Sequence, residues 1–218
     1  NIKFDMTIGP KLHAQASILR ESWQRNRKDL IWLAASTHVG EDEIILDAFD
    51  KIKRRLPHVM LVLTPRHPER FTPVYIMAQD TGLEVLRCSK ITTEVFDADI
   101  LIGDTIGELL IYYGASDIAF VGGSLIRGGG GHNMIEPAAW EKPIISGPFV
   151  RNFDEVADLL HEAGALKFCE TSDDLASFVI QLCEDKEASK AMGRAAAHVV
   201  KMNRGALIKL MGLVGDTL

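Results

Sequence analysis

Apolar positions fall into short unbroken blocks, separated by longer stretches in which they recur every three or four residues. The blocks LIWLAAS (30–36), VMLVLT (59–64), LEVLRC (83–88), DILIG (99–103), DIAFVGG (117–123), KPIISG (142–147) and ALKFCE (165–170) have the length and near-continuous hydrophobicity of strands covered on both faces. Between them, 41–56, 68–81, 106–115, 133–140 and 152–163 read as helices, with Ile44, Ile45, Ala48, Phe49 and Ile52 marking one face of the first. Strand and helix patterns that alternate almost from end to end predict an α/β fold: a Rossmann-like parallel sheet with helices on both faces. Beyond residue 171 the strand pattern stops, and 172–184, 186–202 and 204–215 read as extra C-terminal helices, the first opened by Ser172, Asp173 and Asp174. Residues 1–28, with the basic amphipathic segment Leu12 to Arg27, read as a leading linker and helix, which leaves 29–218 as the Rossmann-like domain.

Composition narrows the class. Of the 218 residues, 47% are hydrophobic, enough for a sizeable core. The net charge is −6, and the acidity is concentrated after residue 70, which argues against a general nucleic-acid binder. Aromatic residues make up only 7%, too few for a base-stacking surface. Cys88, Cys169 and Cys183 are scattered and form no CxxC, so neither a disulfide framework nor a thiolate zinc site is expected, and a reducing cytosolic setting is. No apolar run approaches the ~20 residues that span a bilayer. Without an initial Met or a signal-like start, the chain reads as a domain excised from a longer protein.

In an open parallel sheet, ligands gather at the carboxyl ends of the strands, so the loops that follow them hold the candidate chemistry. After the first strand, Ser36, Thr37 and His38 lead through Gly40 into a helix whose free N–H groups can hold an anion, although helix capping explains the same residues. After the second, Pro65, Arg66, His67, Pro68 and Arg70 place positive charge on a turn stiffened by two prolines, which suits phosphate or carboxylate. After the fourth, Gly103-Asp104-Thr105-Ile106-Gly107-Glu108 leads into a helix with Asp104 or Thr105 as its cap. The strongest signal is Gly122-Gly123-Ser124, followed by Gly128 to Gly131 and His132-Asn133-Met134-Ile135-Glu136. So much glycine costs backbone entropy and implies a main chain that approaches something closely, with a ligand phosphate the natural candidate. Asn133 is placed to cap the next helix and Glu136 to accept hydrogen bonds from ribose hydroxyls. The run has neither a P-loop ending nor a dinucleotide fingerprint, the histidines show no metal-ligand spacing, and no GxSxG elbow is present.

Taken in order, STHVGEDEIIL, TPRHPERF, LIGDTIGELLIYYGASDIAFVGGSL and GGHNMIEPAAWEKPIISGP, flanked by NIKFD and MNRGAL, make the chain similar to the C-terminal half of the 3-deoxy-D-manno-octulosonic acid (Kdo) transferases. That resemblance implies a GT-B glycosyltransferase, two Rossmann-like domains facing a cleft, of which this chain corresponds to the one that binds CMP-Kdo. It implies CMP contacts from Pro65, Arg66, Ile106, Gly107, Glu108, Asn133, Met134, Ile135 and Glu136, and a phosphate and sugar pocket shaped by Ser36, Thr37, His38, His67, Gly122, Gly123, Ser124 and His132. It further implies CMP-Kdo as co-substrate with no metal or other cofactor, and a lipid A precursor as acceptor, held by an N-terminal domain that also carries the general base. No catalytic residue is therefore assigned within this chain. The whole enzyme is then expected at the cytoplasmic face of the bacterial inner membrane; the net positive region 1–70 fits peripheral contact with anionic lipid, although a solvated basic face explains it more simply. The residues alone also fit a UDP- or GDP-sugar transferase or epimerase, or a non-catalytic nucleotide-sensing module.

Overall fold

The computed structural model describes residues 6–24, 30–92 and 96–204. All seven expected strands form: β1 (Leu30–Thr37), β2 (Val59–Pro65), β3 (Val85–Arg87), β4 (Ile100–Ile102), β5 (Ile118–Val121), β6 (Ile144–Ser146) and β7 (Leu166–Phe168). They pair in parallel throughout, in the order β3-β4-β2-β1-β5-β6-β7. From the central strand β1 the chain winds out to one side through β2 and returns on the other side at β5. The carboxyl ends of β1 and β5 thus form the switch point at which such sheets open a crevice.

The helices are α1 (Pro10–Gln24), α2 (Asp42–Arg55), α3 (Phe71–Gln79), α4 (Leu109–Ala115), α5 (Ile135–Ala139), α6 (Asp154–Glu162), α7 (Ser172–Glu184) and α8 (Lys186–Asn203). Alternate strand residues feed two cores. Trp32, Ala34, Leu61, Leu63 and Phe120 meet Ile45, Phe49 and Ile52 of α2 on one face. On the other, Ile31, Leu33, Met60 and Val62 meet Trp23 of α1 with Tyr112 and Tyr113 of α4. The leading helix is therefore a layer of the same domain: Trp23 is buried, and Arg20 donates to Ala115 O and pairs with Asp117. No helix among the described residues is long and apolar enough to cross a membrane. The helix expected over 204–215 lies almost entirely outside the described residues.

Two helices and one cap differ from the sequence reading, each for a local reason, whereas α7 keeps its expected bounds, Ser172–Glu184. The helix expected from 106 begins at Leu109, because Gly107 adopts a left-handed φ of 89° that no helix accommodates. The helix expected over 68–81 divides into a single 3-10 turn at Pro68–Arg70 and α3. The cap of α7 is Thr171, not Ser172: Thr171 Oγ1 accepts from Asp174 N and Asp174 Oδ2 accepts from Thr171 N, a reciprocal capping box. Ser172 instead turns its hydroxyl to Asp47 and Lys51 of α2.

Candidate functional site

The end of β1 carries the scaffold of the site. Pairing with β2 slips between Ala35 and Thr37, and Ser36 at the slip takes a left-handed φ of 55°, unusual for a side-chain-bearing residue. Ser36 and Thr37 are both buried, and Thr37 Oγ1 donates to Asp42 Oδ1 at 2.6 Å. Arg70 donates to Thr37 O at 2.6 Å and pairs with Asp42, which is fully buried. Of the two arginines in the proline-rich turn, Arg70 is therefore a clamp across β1, and Arg66 alone stands exposed, its guanidinium without a hydrogen bond or ion pair among the described residues. Burial pushes the Asp42 carboxyl up, against the opposing pull of Thr37 and Arg70.

Glu41 is the residue that sequence reasoning passed over. It has no exposed surface, and its carboxylate accepts four backbone N–H groups: His38 and Gly123 on Oε2, at 2.8 and 2.7 Å, and Ser124 and Leu125 on Oε1, each at 2.8 Å. The ring of donors after β5, expected to cradle a ligand phosphate, is thus filled by an anion of the protein itself. Ser124 is equally occupied, its hydroxyl donating to Val121 O and accepting from Gly147 N, with no exposed surface. The glycines follow the same logic. A Cβ on Gly122 would lie 2.8 Å from Ser36 O and 2.9 Å from Thr37 Cα, and one on Gly129 would lie 2.2 Å from Gly123 O. The close approach that the glycine run demands is largely that of the loop to its own scaffold.

Two cavities open beside this scaffold. His38, His67 and His132, remote in sequence, converge: the His38 and His132 Nε2 atoms are 2.7 Å apart, and the His38 and His67 ring centroids 5.8 Å. His38 and His67 border a cavity of about 250 Å³ between the β1 and β5 loops, with Gly123 and Ile126 in its wall. A second cavity, of about 270 Å³, opens between Pro65, Arg66 and His67 on one side and Thr105, Ile106 and Gly107 on the other. Thr64 lines it as well; its buried hydroxyl has no hydrogen-bond partner among the described residues, and no sequence pattern marks it. Glu108, next in the chain after Gly107, accepts from Thr105 Oγ1 at 2.5 Å and from Tyr112 OH at 3.1 Å. Asp104 is not a cap: it accepts from Arg87 and from the amide and hydroxyl of Ser89, bonds that hold its carboxyl below the usual range although burial pushes it up.

Asn133 Oδ1 accepts from Ile135 N at 3.0 Å while its amide donates to Glu136 Oε1 at 3.1 Å. Burial raises the Glu136 carboxyl above its usual range, and the Asn133 bond and the Arg66 charge oppose the rise. Met134 and Ile135, by contrast, point into the core, so only their backbone is available to a ligand. His67 is common to the two cavities, Arg66, Ile106 and Gly107 line the second, and the charge of Arg66 acts on His38, His132 and Glu136. Among the described residues no cluster of His, Cys, Asp and Glu is arranged to hold a metal ion.

No protein-family model matches the chain. Over 98% of its length the chain is 40% identical to the 3-deoxy-D-manno-octulosonic acid transferase of Haemophilus influenzae, covering 50% of that protein. It is 31% identical over its full length to the enzyme of the same name from Bordetella pertussis, covering 51% of it. The chain thus spans about half the length of these curated relatives. Among solved structures it is similar to the C-terminal CMP-Kdo binding domain of WaaA from Acinetobacter baumannii, with a TM-score of 0.81 and 28% identity over 88% of this chain and 99% of that one.

Proposed function

The chain belongs to the Kdo transferase family, and from that premise we propose that it is the part of the enzyme that binds the CMP-Kdo donor. The observation that carries the reading is that the exposed Arg66, in the wall of the second cavity, acts through its charge on Glu136, a carboxylate that Asn133 orients from a different strand-end loop. Nucleotide recognition needs these types. Arg66 supplies a forked donor for the phosphate. Glu136, held by Asn133, accepts from the ribose hydroxyls, and the Thr64 hydroxyl and the Ile106–Glu108 turn close the opposite wall.

In transfer, the bond between the sugar's anomeric carbon and the phosphate oxygen breaks, and CMP departs with the electron pair. Positive charge then develops on the sugar and negative charge on the leaving phosphate. In this reading Arg66 meets the phosphate charge, a preorganised electrostatic contribution that calls for no metal. The base that deprotonates the acceptor hydroxyl is assigned to the part of the enzyme outside this chain, as is the lipid A precursor. The chain alone then binds donor without turning it over, and the whole enzyme works where its lipid acceptor lies, at the cytoplasmic face of the inner membrane.

Calorimetric titration with CMP, UMP and GMP tests this. CMP is expected to bind in preference, and Arg66→Ala and Glu136→Ala each to weaken it by about 10- to 100-fold, the worth of one charge-assisted hydrogen bond. Preference for UMP or GMP, or unchanged affinity in both variants, overturns the reading.

A further inference from the structure

The contact between His38 and His132 is not explained by nucleotide binding alone. Two imidazoles that meet through their Nε2 atoms at 2.7 Å hold one proton between them: one ring carries Nε2–H, and the other, accepting it, carries its own proton on Nδ1. The arrangement is built. Glu41 fixes the His38 backbone through its N–H, and Gly123 makes room for the second ring, since a Cβ there would lie 2.8 Å from His132. The groups that face the pair are Arg66, His67 and Arg70 from the turn after β2, the last paired with Asp42, and the acidic Glu41. Burial pushes both rings below the usual histidine range, His132 to about 4, and the surrounding cations add to the effect, while Glu41 opposes it at His38.

We propose that His38 and His132 form a proton-sharing pair, neutral in the free domain, which takes up a proton from solvent when an anionic group of the donor seats beside Arg66. The inference rests on the donor-binding reading and extends it. An anion among Arg66, His67 and Arg70 cancels the field that keeps the pair neutral. The incoming proton enters at Nδ1 of the donating ring, so the pair becomes a shared cation facing the bound charge without breaking its internal bond. His38 and His132 are then positioning residues that turn on with the ligand, and donor affinity becomes pH-linked.

The test has two parts. In the free domain, 15N imidazole resonances are expected to show the two rings neutral at pH 7 in opposite tautomers; two rings that titrate independently near the ordinary value of about 6.5 overturn the pair. The second part titrates CMP calorimetrically into the wild type, His132→Gln and His38→Gln, in buffers of different ionisation enthalpy, which gives the proton uptake per CMP; subtracting the variants' uptake removes the contribution of the nucleotide's own phosphate. Wild type is expected to take up roughly one proton more per CMP than either variant, so that its affinity gains up to about tenfold more per unit fall in pH. Equal uptake with CMP bound overturns the proton-sharing pair alone. No CMP binding by the wild type overturns the donor reading and the linked uptake together. Circular dichroism of the variants separates loss of the pair from loss of fold.

Discussion

Replacing Glu41 by Gln changes one atom for another of nearly the same size, yet the structure makes it one of the most damaging polar substitutions in the chain. Each carboxylate oxygen accepts two backbone N–H groups. Whichever way the glutamine amide lies, its NH2 faces two N–H donors, and those two lose their acceptor in a place without water, since Glu41 has no exposed surface. An orphaned buried donor costs about 1–3 kcal/mol, so the pair costs roughly 2–6 kcal/mol. Set against a typical total of about 5–15 kcal/mol, that is a large share of stability. At ~2–4 °C per kcal/mol for a chain of this size, even 3 kcal/mol lowers Tm by about 6–12 °C. Thermal melts followed by circular dichroism read this directly, with Glu43→Gln on the exposed side of the same helix as the control that leaves Tm unchanged. A Tm for Glu41→Gln within about 2 °C of wild type refutes the view that this carboxylate holds the β5 loop in place.

Gly129→Ala is expected to cost about 1–3 kcal/mol in urea denaturation, because its Cβ would intrude on Gly123 O, which also accepts from Gly131 N at 2.7 Å. Gly128→Ala, whose Cβ would meet nothing within 4 Å, carries only the backbone penalty of its left-handed φ, about 1–2 kcal/mol; a loss at Gly129 well below about 1 kcal/mol contradicts the close-approach account. Lys142 donates to Gly114 O and Ser116 O, and burial lowers its ammonium from 10.5 to about 8. A lysine depressed in the folded state binds fewer protons there than when unfolded, so its contribution to stability rises as pH climbs above about 8 and is lost as pH falls through that value. Denaturation at pH 7.5 and 9 should therefore show wild type gaining on Lys142→Met as pH rises, and a constant difference contradicts the shift.

Much of the fold is legible in the sequence because continuous apolar runs such as VMLVLT have one sensible home, a strand covered on both faces. Helix starts and caps are less legible. Gly107 and Thr171 decide theirs through a left-handed turn and a reciprocal cap, which several neighbouring residues of similar propensity offer equally well. In the candidate site, Arg66, Asn133 and Glu136 draw notice in the sequence as polar side chains that follow strands, but Arg70 and Asp104, placed alike, are bound to the scaffold, and only the folded chain separates the two kinds. The role of Glu41 is hidden. An acidic residue at a helix start is ordinary on the sequence, and only the folded chain shows that it turns back to fill the anion-binding ring of the β5 loop. The same filled ring explains why the glycine run, read as a phosphate cradle, serves the scaffold instead, and why Ser124 and the side chains of Met134 and Ile135 are withdrawn from the surface.

The central claim, that the donor nucleotide sits between the β2, β4 and β5 loops and not in the glycine ring, is tested most directly by mapping amide chemical shifts of the 15N-labelled domain on titration with CMP. The account predicts that the largest changes cluster at Arg66 and His67, Ile106 to Glu108, and His132 to Glu136, with smaller ones at Ser124 and Leu125, whose amides stay bonded to Glu41. Changes concentrated at Gly123, Ser124 and Leu125, with Glu41 displaced, would contradict it.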